Sequence, residues 1–385
     1  MMSGQRFQPV AGDRVYLDAN ASEMLRPQAL DAAMAALGVP GNPASVHQQG
    51  RQARRVLEDA RESIAACLGA DPAGLVFTSG GTESDVLAIE ALGMGRRLLI
   101  GATEHDAIRA AAPAAAVLPV HGNGTLDLAA LDTALAGQGA PSLVCLMLAN
   151  NETGVLHPVA EAATVCRRHG ALLHVDAVQA AGRIPVSLRD LGADSLAVSG
   201  HKLGGPKGAG ALLLAATVDG FRLTPSIAGG GQERGRRGGT PPLPAIAGFA
   251  AACAAACAEM ESQNRLRTLR DRIEQAARGH GAVPCGADAP RLANTACLAL
   301  PGRRAELQLI ALDLAGFGVS AGAACSSGKV SRSHVLDAMG LPELAGASIR
   351  VSLPWTVRDE EVDRFIEAYA AMAAVGPGRG SERAA

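Results

Sequence analysis

The sequence predicts an α/β protein with a mostly parallel sheet, and three observations predict it. Short apolar runs of strand length alternate with helical stretches from Leu75 to Leu214, and buried strands separated by helices pair in parallel. Polar clusters stand just past the carboxyl end of one run after another, where open α/β sheets bind ligands. The chain has 385 residues, 48% of them hydrophobic, which is enough for two domains with cores of their own.

Taken in order, LVFT (75–78) runs into SGGTES and the helical SDVLAIEAL, and RLLIG (97–101) ends near TEH before EHDAIRAAA. LVCLML (143–148) ends in ANNETG, and the helix-like PVAEAATVCRRH (158–169) follows. ALLHV (171–175) ends in DAVQ, SLAVS (195–199) in GHK, and GALLL (210–214) closes the pattern. The Gly- and Arg-rich GGGQERGRRGGTPPLP from Gly229 reads as a mobile connector, leading to an Ala-rich helix with a charged continuation to about Arg278. From Leu292 a second α/β pattern begins, with NTACLAL, ELQLIALDLAG, SIRVSL and a final helix DEEVDRFIEAYAAM. The expected organisation is a large domain over 16–255, a smaller α/β domain made of 1–15 and 256–375, and a polar tail over 376–385.

Composition narrows the function. A formal charge of −2 and an aromatic content of 2% supply neither the basic excess nor the stacking surfaces of nucleic-acid binders. No run of eighteen apolar residues occurs and the start has no secretory core, so the expectation is a cytoplasmic protein with no membrane partner. Eight cysteines without C-x-x-C spacing read as reduced thiols, with no metal site expected. Cys253 and Cys257 share a helix face, but without a further ligand they read as packing.

The polar clusters carry the chemistry. SGGTES between a strand and a helix offers free backbone N–H groups beside the hydroxyls of Ser79 and Thr82, an anion site of the kind phosphate takes, although a Gly pair alone is as often a tight turn. SGHKLGGPKG places Ser199, His201 and Lys202 on a second such corner. Asp176, with Gln179 three residues on, closes ALLHV facing the same edge; alone it would read as a helix N-cap. A phosphate cradle, a carboxylate and a lysine together are the parts that hold pyridoxal 5'-phosphate.

Ten stretches in order, among them YLDANA, GNPASVHQQGRQAR, TSGGTESDVLAI, TEH, ANNETG, HVDAVQAAG, SGHKLGGPKGAGAL, GGGQERGRRGGT, SAGAACSSGK and SIRVSL, resemble the cysteine desulfurases, enzymes of the class-V aminotransferase group. The resemblance spans Tyr16 to about Phe365. It implies the fold type I of pyridoxal-phosphate-dependent transferases, with a seven-stranded sheet in the large domain. It also implies that Lys202 carries the cofactor, that Gly81, Thr82, Ser199 and His201 hold its phosphate, and that Asp176 and Gln179 face its ring nitrogen and hydroxyl. His105 would stack on the ring, Asn151 would lie near cofactor and substrate, and Arg350 would clamp the substrate carboxylate, a task suited to a bidentate donor. Thr240 would reach the phosphate of a neighbouring subunit, implying a homodimer.

Cys325, in a stretch rich in Gly, Ala and Ser, is the residue that discriminates within the group. The resemblance implies conversion of L-cysteine to L-alanine, with the sulfur passing to Cys325 as a persulfide and on to an acceptor protein such as an iron-sulfur scaffold. The alternative within the same fold is a class-V aminotransferase or a selenocysteine lyase. Two stretches depart from the pattern: ASEMLRP (21–27), which leaves hydroxyl contacts from that loop open, and SLPWT (352–356), expected to reshape the pocket rim.

Overall fold

The computed structural model describes residues 14–137, 141–218, 223–322 and 332–374. The first elements are β1 (Val15–Tyr16), α1 (Pro27–Leu37) and α2 (Gln48–Cys67). Next come β2 (Leu75–Thr78), α3 (Gly81–Leu92), β3 (Arg97–Gly101), α4 (Asp106–Ala111), β4 (Ala116–Leu118), α5 (Leu128–Leu135) and β5 (Ser142–Met147). They continue through α6 (Val159–Arg168), β6 (Leu172–Asp176), α7 (Leu188–Leu191), β7 (Ser195–Ser199) and β8 (Gly210–Leu214). The seven strands β2 to β8 form one sheet in the order β2-β8-β7-β6-β5-β3-β4, with only β8 antiparallel to its neighbours.

This is the mostly parallel α/β sheet expected from the sequence. Strands β2, β5, β7 and β8 are buried at every residue, which is why they read as unbroken apolar runs rather than as alternation. The edge strand β4 was not legible, because three residues in an Ala-rich stretch carry no periodic signal.

Helix α8 (Leu243–Ala258) packs against α1 and α2. Its alanines and Gly248 allow close approach: a Cβ on Gly248 would lie 2.7 Å from the Pro206 ring. Among the described residues no single helix is long and apolar enough to cross a membrane.

The second core begins with α9 (Gln263–Gly279), followed by β9 (Val283–Pro284), β10 (Thr295–Ala299), α10 (Ala305–Leu314), β11 (Phe317–Gly318), β12 (Ser320–Ala321), α11 (His334–Ala338), β13 (Ser348–Ser352) and α12 (Asp359–Ala374). Its antiparallel sheet runs β12-β13-β10-β9, and β1 pairs in parallel with β11. The N-terminal Val15 and Leu17 therefore pack in the same cluster as Phe365 and Tyr369.

The Gly- and Arg-rich stretch is not a mobile connector. Glu233 is buried, accepts hydrogen bonds from both terminal nitrogens of Arg61 at 2.8 and 2.9 Å, and accepts another from the backbone N–H of Phe77 at 2.9 Å. Glu233 and Arg234 sit at φ of 48° and 60°, a region that ordinary side chains disfavour, so the surrounding ion pairs must hold them there. Arg237 adds a bond to Glu83 at 2.8 Å, in the first turn of α3. Removing one partner of a buried pair leaves an uncompensated charge, so Arg61→Met is expected to cost about 3–5 kcal/mol. The check is a lowered denaturant midpoint; an unchanged midpoint would contradict the anchoring.

Candidate functional site

A cavity of about 250 Å³ opens at the carboxyl ends of the parallel strands. Each wall comes from the loop after one strand. Gly81 and Thr82 enter from the start of α3, His105 from the loop after β3, Asn151 from the loop after β5, Asp176 and Gln179 from the end of β6, and Ser199, His201 and Lys202 from the end of β7. Parallel strands deliver these residues to one place because all their carboxyl ends share one edge.

The cradle near α3 depends on bare backbone. A Cβ on Gly210 would lie 2.6 Å from the Cα of Gly80, so β8 can pass the loop only with glycine at 210. A Cβ on Gly81 would lie 2.6 Å from Val178 Cγ2, inside the cavity wall. Ser199 Oγ is buried beside this cradle with no hydrogen-bond partner. Buried hydroxyls are nearly always bonded, so this oxygen is placed for a partner from outside the chain.

Asp176 is buried and accepts one hydrogen bond from Val178 N–H at 2.8 Å. That contact is the cap its position suggested, yet the carboxylate also lines the cavity. Burial, reinforced by the nearby Asp85, pushes its pKa up to about 7. A buried carboxylate with so little compensation suits a cation opposite it. Behind it runs a chain that sequence reading missed: Asp85 Oδ1 bonds His174 Nε2 at 3.1 Å, and His174 Nδ1 bonds Ser195 Oγ at 2.8 Å. The signal for His174 was present, since residues two apart on a strand share a face and His174 lies two before Asp176.

Lys202 Nζ donates to the carbonyls of Asn20 and Ala21 at 2.5 and 3.1 Å. Asn20 also takes the Gln179 amide at 3.0 Å through its carbonyl, and its own amide donates to Asn151 O and to Thr295 Oγ1 at 3.1 and 3.0 Å. This one residue thus joins the lysine loop to the second core. Gln179 is oriented further by Arg183, whose NH1 bonds Gln179 Oε1 at 2.5 Å. His105 caps α4, its Nδ1 accepting from Ala107 N–H at 3.1 Å, which fixes the ring while it faces the cavity. His201 Nδ1 contacts Ser22 Oγ at 3.3 Å, so the divergent ASEMLRP loop does supply a hydroxyl. Burial and the adjacent Lys202 lower the His201 pKa to about 4.

Arg350 does not line the cavity. It is buried, with NH1 on Asn151 O at 3.0 Å, NH2 on Asp18 Oδ1 at 2.8 Å and Nε unpaired. Trp355 donates to Met24 O at 3.0 Å and lies under Arg26 at 4.8 Å, so the SLPWT departure braces the loop preceding α1. Thr240 is exposed and does not line the cavity of its own chain. Cys325 lies outside the described residues.

The donor set fits the phosphorylated pyridine expected from the sequence: an unpartnered hydroxyl and a helix N-terminus for the phosphate, a carboxylate short of a counter-charge for the ring, and an amine beside both.

The buried acids set a pH dependence. Asp85 and Asp176, raised to about 8 and about 7 by burial, give stability that is full below the ordinary carboxylate range and lost as pH rises through those values. His157 and His174, lowered to about 4 by burial, give stability that is present above pH 6.5 and lost as pH falls toward 4. The two pairs oppose each other below 6.5, and of these four groups only the carboxylates still titrate above it. The melting temperature of the cofactor-free protein is therefore expected to fall as pH rises from 6.5 to 8, with Asp85→Asn making the fall shallower. A rise across that window would be the contrary result.

Comparison with known proteins follows the same lines. The class-V aminotransferase family model matches residues 15–365. A cysteine desulfurase of Cereibacter sphaeroides is 42% identical over 372 residues, covering 92% of this chain and 94% of that protein. An IscS-like cysteine desulfurase of Mycobacterium tuberculosis is 38% identical, covering 94% of this chain and all of its own. Among solved structures, a NifS-like protein from Rickettsia africae superposes with a TM-score of 0.87 at 34% identity, covering 93% of this chain and 99% of that one.

Proposed function

Because the chain belongs to the class-V aminotransferase family and its relatives near 40% identity are cysteine desulfurases, we propose that it is a pyridoxal-phosphate-dependent desulfurase. Its reaction takes the sulfur of L-cysteine to Cys325 and releases L-alanine. The observation that carries this reading is the single cavity in which Lys202, Asp176 and the unpartnered Ser199 Oγ face one another.

Ser199, His201, Thr82 and the first amides of α3 would hold the phosphate. Asp176 would hold the positive charge of the ring nitrogen, Gln179 would meet the ring hydroxyl, and His105 would cover a ring face. When bound, the cofactor supplies an electron sink that makes the Cα proton of the amino acid acidic and weakens the bond from Cβ to sulfur. The Lys202 amine takes that proton and returns it, as a positioned base does. Arg350 would receive the substrate carboxylate by releasing Asp18, as the family resemblance implies. The Cys325 thiolate attacks the substrate sulfur, so a sulfur–sulfur bond forms as the carbon–sulfur bond breaks.

The enzyme would act as a homodimer in the cytoplasm. Thr240 stands exposed at the end of the anchored Arg-rich loop, free to serve a neighbouring site. A sulfur-acceptor protein, such as an iron-sulfur scaffold, would take the sulfur from Cys325.

The test is incubation of purified enzyme with L-cysteine followed by intact-mass analysis. One added sulfur atom is expected on Cys325; in Cys325→Ala both the added mass and sulfide release should vanish while the cofactor absorbance stays. Undiminished turnover in that variant would overturn the sulfur-transfer role.

A further inference from the structure

Three thiols that the desulfurase reaction does not use meet where α2 packs on α8. Cys67 closes α2, while Cys253 and Cys257 stand one turn apart on α8. The packing of α2 on α8 brings their three Sγ atoms within 4.8 Å of one another. The sequence offered no hint of this meeting, because Cys67 and Cys253 are far apart along the chain and only the helix pairing joins them.

The arrangement has the dimensions of a ligand set. Zinc–sulfur bonds of about 2.3 Å space the sulfurs of a tetrahedral site by about 3.8 Å, so the three thiols need to close by only about 1 Å or less. Cys253 is fully buried at 0% exposure, whereas Cys67 and Cys257 are half-buried. The cluster thus has a fixed inner ligand and an open outer edge, which gives an ion a path in and a water the fourth position. Among the described residues no histidine or carboxylate joins the group. An all-sulfur set selects thiophilic ions over the hard cations that prefer oxygen.

We propose that Cys67, Cys253 and Cys257 form a three-thiolate site for a soft divalent cation, Zn²⁺, with water completing the tetrahedron. Charge favours Zn²⁺ over Cu⁺: three thiolates leave a net −1 with the divalent ion and −2 with the monovalent one, and a smaller net charge is less costly to hold in a half-buried place. Binding moves no electrons, and the thiol protons pass to solvent as the sulfurs coordinate.

The site is separate from the cofactor cavity, yet mechanically close to it. Ala256 of α8 lies against Gly182, where a Cβ would come within 2.7 Å of it, and Phe249 of the same helix lies against Gly200, at the start of the turn that carries Lys202. A metal clamping α2 to α8 would brace the helix on which that turn rests.

The experiment uses the reduced holoenzyme under anaerobic conditions, titrated with Zn²⁺ against a chromophoric chelator and separately with Co²⁺ as a spectroscopic reporter. One Zn²⁺ per chain is expected for the wild type and for Cys325→Ser, and the Co²⁺ form should show the intense d–d bands of tetrahedral thiolate coordination. Cys67→Ser and Cys257→Ser, at the half-buried positions, should each weaken Zn²⁺ binding by about 100-fold or more while keeping the cofactor absorbance that reports a folded enzyme. Loss of the site in Cys325→Ser instead, equal Zn²⁺ affinity in the Cys67 and Cys257 variants, no Zn²⁺ uptake by the wild type, or cobalt bands of octahedral type would each overturn the proposal.

Discussion

Lys202→Ala is expected to lower turnover of L-cysteine by about 10⁴-fold, the upper end of what a positioned acid–base group supplies. The size follows from the placement. Lys202 leaves β7 through a tight turn, and its amine reaches into the cavity with the carbonyls of Asn20 and Ala21 as guides. Among the described residues lining this cavity it is the only lysine, and His201 beside it is lowered to about 4 by burial, too weak a base to take over. The measurement is sulfide and alanine release at saturating L-cysteine, together with retention of the cofactor after borohydride treatment and denaturation. The variant should lose covalent retention along with activity. A variant that keeps a tenth of the turnover would remove Lys202 from the reaction.

Asp176→Asn should reduce kcat by about 10²–10³-fold, the range for removing one preorganised electrostatic partner of a developing charge. The carboxylate is buried, accepts a hydrogen bond from the Val178 N–H, and is held near 7 by burial. A cation placed opposite would bring it back to the ionised form, so charge and burial act together in the loaded enzyme. The amide is nearly isosteric and keeps the Val178 contact, so the variant should fold. It should also bind the cofactor more weakly, measured by equilibrium dialysis of the phosphate ester. An unchanged kcat with unchanged cofactor affinity would show that Asp176 is only the cap of the following turn.

The helical and strand elements of the large sheet were legible because they are long or fully buried: LVFT, LVCLM, LLHVD, SLAVS and GALLL each cross the core, and burial on both faces leaves an apolar run that sequence can display. The polar loops that follow them were legible for the same reason, since a parallel sheet sends every such loop to one edge. The polar clusters at the cavity could therefore be placed in advance, whereas His105 and Asn151 were named through the family resemblance, and Asp85, which also lines the cavity, was missed.

What the sequence by itself determined was the order of strands and helices and the identity of the groups at their carboxyl ends, because these are set by local pattern. Only the tertiary structure decided which distant groups touch: Asp85 with His174, Arg350 with Asp18, Glu233 with Arg61, and Cys67 with the two cysteines of α8. The physical reason is that burial, and with it pKa, hydrogen bonding and metal affinity, depends on neighbours brought together across long stretches of chain, which no window along the sequence contains.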